Sequence, residues 1–213
     1  MATNLDLQEQ EQLDELKAWW TRWGNLLLTA ATIVLFCIAA YNGWRWYQRS
    51  QAGEAAVRYE AVLEAVKSKD TKAVRDAAGE LIEKYPRTVH AALAALVSAK
   101  AHFDANDLKT AHSQLQWVVE RSNDPELASI ARLRLANVLA DEKNYDDALK
   151  VLSEKMGKTF LPLVASLRGD IYSLQGKKGD ARAAYKDALE KAEAKDNTLR
   201  ERVQLKLDGL GEG

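Results

Sequence analysis

The sequence predicts an all-α protein: an N-terminal transmembrane helix, then a helical solenoid built from repeats and closed by a C-terminal capping helix. Three observations carry this expectation. The run from Leu26 to Tyr41, LLLTAATIVLFCIAAY, holds no charged side chain and is flanked by tryptophan on both sides. The chain is rich in Ala, Leu, Glu and Lys, with only 3 prolines and 11 glycines in 213 residues, which favours helix over strand. Small residues also recur at a fixed spacing through the C-terminal three quarters of the chain.

The span is predicted over residues 24–43. Sixteen uncharged residues rise only about 24 Å as a helix, short of a hydrocarbon core of about 30 Å, so the flanks must supply the rest. Trp19, Trp20 and Trp23 precede the run, and Trp44, Trp46 and Tyr47 follow it. Five of the 6 tryptophans therefore stand where an aromatic belt meets the two headgroup layers. Lys17, Arg22, Arg45 and Arg49 can reach back into the headgroups along their own aliphatic stems. A buried core helix would not gather Trp and Arg at both ends.

Neither processing pattern fits. A cleaved signal peptide opens with basic residues, whereas Asp6, Glu9, Glu11, Asp14 and Glu15 come first here. Cys37, the single cysteine, follows Phe36 inside the apolar run and serves as a small apolar residue. The tail over residues 1–23 contains LDLQEQEQLDELKAWW, which places Leu13, Leu16 and Trp20 at helical spacing and reads as an interfacial helix continuing into the span. Charge leaves the orientation open: Lys17 and Arg22 on one side face Arg45, Arg49 and Arg58 on the other, a slight lean toward a cytoplasmic C-terminal domain.

The third segment, residues 50–210, carries the repeats. Ala99, Ala136 and Gly169 advance by 37 and then 33 residues, and Ala111, Ala148 and Ala181 follow the same steps. Four residues after the second series come Leu115, Leu152 and Tyr185. Small residues let two antiparallel helices approach, and the bulky residue one turn later fills the space left between them. The pattern resembles the tetratricopeptide repeat, and LRGDIYSLQGKKGDARAAYKDALE is its best copy. A looser fourth unit precedes these, since Val62 lies 37 residues before Ala99. Turns are expected at Lys69-Asp70, Asn106-Asp107, Lys143-Asn144 and Gly176–Gly179, with Pro86, Pro125 and Pro162 between units. The amphipathic segment from Leu199, LRERVQLKLDGL, is expected to cap the stack.

Acid and base nearly cancel, 31 against 30, which removes the field that nucleic-acid binding requires. The sequence holds no phosphate loop, no G-x-S-x-G, no H-E-x-x-H and no C-x-x-C, so neither an enzyme nor a cofactor or metal is expected. His102 falls where its helix faces its repeat partner and is read as a packed residue. Asp146 and Asp147 open a helix and complement its dipole.

The order of these features, from ELKAWWTRWGN and GWRWYQ around the span through LRGD to QLKLDGL, resembles the YfgM family of ancillary SecYEG translocon subunits over essentially the whole chain. That resemblance implies a bacterial inner-membrane protein with a cytoplasmic tail, a single span and a periplasmic tetratricopeptide-like domain. It also implies association with the SecYEG translocon and with PpiD, a membrane-anchored periplasmic chaperone, and contact with unfolded secretory clients. Projecting the repeat positions outward gives Leu96, Lys100, Phe103, Leu133, Asn137 and Asp170 as groove residues, with inter-repeat packing the competing role for the apolar ones. The residues alone leave a second class open, a membrane-tethered scaffold serving another complex on either side of the membrane.

Overall fold

The computed structural model describes residues 5–211, so residues 1–4 of the expected tail lie outside the described residues. Every regular element among the described residues is helical, as the sequence predicts. The chain divides into two compact units, Met1–Ser50 and Gln51–Gly213. Helix α1 (Leu5–Lys67) is long enough to contribute to both.

In the first unit, the residues of the apolar run stand outward, from Leu26 at 59% exposure to Phe36 at 74%. A surface of that kind is stable in a hydrocarbon environment and costly in water. α1 is the one helix among the described residues long and apolar enough to cross a membrane. The two threonine hydroxyls of the run are satisfied within the helix: Thr29 Oγ1 donates to Asn25 O and Thr32 Oγ1 to Leu28 O, each at 2.7 Å. That arrangement leaves neither threonine hydroxyl needing water at that depth. At the flanks, Trp19 and Trp20 lie 6.4 Å apart, Trp44 and Tyr47 6.2 Å apart, and the Arg45 guanidinium sits 5.6 Å from the Tyr41 ring centre.

The second unit pairs helices in sequence. The end of α1 packs on α2 (Thr71–Lys84), α3 (Val89–Asp104) on α4 (Leu108–Arg121), α5 (Pro125–Asp141) on α6 (Tyr145–Val151), and α7 (Leu161–Leu174) on α8 (Lys178–Lys191). Helix α9 (Asn197–Gly209) closes the series by packing against α8, and Leu199 and Val203 join Ala181, Tyr185 and Ala188 in one buried cluster. This is the capping role expected for that segment.

Each first-to-second helix turn is built alike. Lys69, Asn106, Lys143 and Gly176 adopt left-handed backbone with φ of 56, 60, 63 and 74°. The next amide then reaches back five residues: Asp70 N to Ala65 O, Asp107 N to His102 O, Asn144 N to Leu139 O and Lys177 N to Tyr172 O, at 3.2, 2.8, 2.8 and 2.9 Å. These bonds satisfy helix-end carbonyls in the manner of a Schellman motif. Asp70 and Asp107 then cap the following helix by accepting from Ala73 N and Thr110 N. The left-handed positions advance by 37, 37 and 33 residues, so the first unit shares the geometry of the others.

The shortened third step has a local cause. Helix α6 is only 7 residues long, half the length of α4 or α8. The chain then runs irregularly to a 3₁₀ turn at Lys158–Phe160. Arg132 Nε–Glu154 Oε2 at 2.8 Å and Arg168 to Leu152 O at 2.9 Å hold that segment in place.

Candidate functional site

The first helices of consecutive pairs present residues at matching register. One residue beyond Val62 and the small positions Ala99, Ala136 and Gly169 stand Leu63, Lys100, Asn137 and Asp170, again separated by 37, 37 and 33. Their surroundings differ. Leu63 is 38% exposed, an apolar side chain left in water. Lys100 and Asn137 line a cleft of about 340 Å³ between α3 and α5. Asp170 is half-buried, and its carboxylate accepts from Tyr185 Oη at 2.8 Å and from Lys206 Nζ at 2.6 Å.

The cleft brings together three of the six residues expected from sequence: Lys100, Phe103 and Asn137. Ala99, Leu115 and Val138 form its apolar floor, and Phe103 keeps 37% of its surface exposed. Asp104, Arg134 and Asp141 complete the rim. Lys100 Nζ pairs with Asp104 at 2.8 Å, and the Arg134 guanidinium donates to Leu96 O at 3.2 Å. Asn137 Nδ2 donates to Leu133 O at 3.0 Å, which leaves the side-chain oxygen available to accept.

The other three expected residues lie elsewhere. Leu96 is buried in the main core with only 4% exposed. Leu133 is half-buried and packs against the same core. Asp170 belongs to the junction between α7, α8 and α9 described above. Burial, the larger cause, and the hydrogen bond to Asp170 raise the Tyr185 phenol well above its ordinary value. Three rim residues, Asp104, Arg134 and Asp141, were absent from the sequence-derived set. The repeat step held a signal for two of them, because Asp104 and Asp141 lie 37 apart, each four residues after a groove position. Arg134 had no such marker.

His102 is buried, as its helix position implied, with Nδ1 3.1 Å from Asp107 Oδ2. Hydrogen bonds from Thr110, assisted by the nearby imidazole, hold the Asp107 carboxyl below its usual range. Among the described residues, no group of three or more His, Cys, Asp or Glu side chains is placed to hold a metal ion.

Paired antiparallel helices with a shared turn geometry and a capping helix define a tetratricopeptide-repeat-like protein. The sequence matches the family profile described as tetratricopeptide repeat-like domain over residues 17–212. It is 34% identical over 208 residues to a Neisseria gonorrhoeae protein named ancillary SecYEG translocon subunit, covering 96% of this chain and 98% of the relative. Proteins of the same name from Escherichia coli and Haemophilus influenzae are 30% and 28% identical, covering 95% and 96% of this chain and 96% and 98% of their own lengths. The chain belongs to this family, the ancillary SecYEG translocon subunits of the YfgM type.

Proposed function

We propose that the protein is a non-catalytic, single-pass inner-membrane adaptor that accompanies the SecYEG translocon and acts by binding. In this reading residues 1–23 are cytoplasmic, residues 24–43 cross the membrane, and the repeat domain over residues 50–210 lies in the periplasm. There it engages PpiD or emerging secretory clients through its concave row. The anchor raises the local concentration of that row near the channel, so weak contacts suffice. The observation that carries the reading is the match to ancillary translocon subunits over nearly the full length of both chains, span and repeats together.

Two measurements test it. Protease added to intact spheroplasts should degrade the repeat domain; survival of that domain until the membrane is lysed refutes the periplasmic placement. Extraction in mild detergent followed by mass spectrometry should recover SecYEG and PpiD with the chain. Recovery of neither, from membranes in which both are intact, refutes the assignment. One observation favours a second reading, a tethered scaffold facing the cytoplasm: Arg45, Arg49 and Arg58 outnumber Lys17 and Arg22. That bias is a single charge, and the protease experiment separates the two.

A further inference from the structure

We infer that the α3–α5 cleft takes one bulky apolar side chain from an uncharged, extended stretch of polypeptide, and not a charged terminal motif. The inference rests on the binding role proposed above for the concave row and specifies what that row holds.

Size and polarity set the first requirement. About 340 Å³ over a floor of Ala99, Leu115 and Val138 has room for a bulky aromatic or branched side chain together with part of the backbone that carries it. Phe103 forms one wall and remains 37% exposed, so an apolar group entering the cleft removes apolar surface from water on both partners.

Charge sets the second. Lys100 and Arg134 are offset at the rim by Asp104 and Asp141. Lys100 is already paired with Asp104, and Arg134 is already bonded to the Leu96 carbonyl. An acidic segment would have to displace Asp104 from Lys100 while standing beside Asp141. A basic segment would meet Lys100 and Arg134. A neutral segment encounters neither penalty, and its occupancy leaves the existing pairs intact.

Asn137 sets the third. Its side-chain amide offers a donor and an acceptor in one group, the complement of a peptide unit. Extended chains carry main-chain groups free to use it, whereas a helix has spent its own on internal bonds.

The test uses the full-length chain in nanodiscs, with empty nanodiscs as the control for lipid partitioning. Fluorescence anisotropy would follow short labelled peptides of Ser, Thr, Asn and Gly carrying one central Phe. Comparison peptides replace that Phe by Ser, or flank it with Asp or with Lys. The neutral Phe peptide should bind, and each replacement should weaken binding by about tenfold or more, the scale of one anchor residue in a cleft. Phe103→Ala should produce a similar loss, Phe103→Leu should retain most of the affinity, and Asn137→Ala should cost a few-fold. The helical circular dichroism of the variants should match that of the parent, since both side chains stand at the surface. Equal binding to Phe103→Ala, or tighter binding of either charged peptide, overturns the inference. If no peptide binds while the chain still co-purifies with SecYEG, the cleft assignment fails and the translocon association stands. If co-purification also fails, both fall.

Discussion

Gly169 to alanine is the substitution on which two physical effects most clearly oppose each other. In an exposed helix the change would stabilise by about 1 kcal/mol, because glycine loses more backbone entropy on folding. Here a Cβ at position 169 would stand 2.5 Å from Tyr185 Cδ1 and 2.9 Å from Cζ. Ordinary contact begins near 3.4 Å, so the ring would have to retreat by most of an ångström. The ring has little freedom to do so, being only 3% exposed and tied through its hydroxyl to Asp170. Overpacking of this kind costs roughly 1–3 kcal/mol, which outweighs the propensity gain and leaves a net loss of about 1 kcal/mol. The other units indicate how the clash is avoided. The residues at the equivalent positions are Val62 and Ala78, Ala99 and Leu115, Ala136 and Leu152, and Gly169 and Tyr185, so each pair combines a larger side chain with a smaller one. Gly169→Ala combined with Tyr185→Leu recreates the Ala–Leu pair of the middle units. In the Tyr185→Leu background, Gly169→Ala should therefore become stabilising. Urea unfolding of the four members of this cycle, followed by circular dichroism, should give a coupling energy of about 1–2 kcal/mol. Stabilisation by Gly169→Ala in the parent background would refute the packing account.

Further outcomes follow from the turns and caps. Lys143 holds left-handed backbone at φ 63°, and Lys143→Gly should raise stability by about 0.5–1 kcal/mol, while Gly176→Ala at φ 74° should lower it similarly; thermal melts of the two should move in opposite directions. Asp107→Ala removes the cap on Thr110 N and the only partner of the buried His102 ring among the described residues, at a cost of about 1–2 kcal/mol in urea unfolding. Because the folded state holds the Asp107 carboxyl below its usual range, its contribution is present at neutral pH and disappears as pH falls through that lowered value; Asp107→Asn should flatten the acid side of the stability profile. Lys206→Met keeps the aliphatic stem but removes the ion pair with Asp170, so hydrogen exchange should quicken in α9 while overall stability drops by about 1 kcal/mol or less.

Much of the fold was legible because a repeat writes the same physical requirement several times. The small positions, the bulky residue one turn later and the four left-handed turns all follow one set of steps, and Pro125 and Pro162 fall in the first turns of α5 and α7. The first unit was the least certain by composition, since it has Val62 and Ala78 where later copies have a small and a bulky residue. Its identity rests on backbone instead: Lys69 is left-handed and Asp70 N reaches Ala65 O, as in the other units. The halved α6 was not legible, because a missing helical turn leaves only a shorter spacing. Nor was the fate of Asp170, whose partner Lys206 lies 36 residues downstream on the capping helix.

That last case explains why matching register did not give matching roles. The row of Leu63, Lys100, Asn137 and Asp170 is uniform in backbone position, so sequence projection treats its members as equivalent surface sites. What each does depends on the helix beyond it. Lys100 and Asn137 occupy α3 and α5, which contact each other directly, and an open cleft remains between them. Asp170 occupies the last first-helix of the series, and α9 reaches it through Lys206. The end of a stack must cover a face that an interior unit covers with the next repeat. A charged residue there is therefore drawn into the cap, while Lys100 and Asn137 farther in stand on an open cleft.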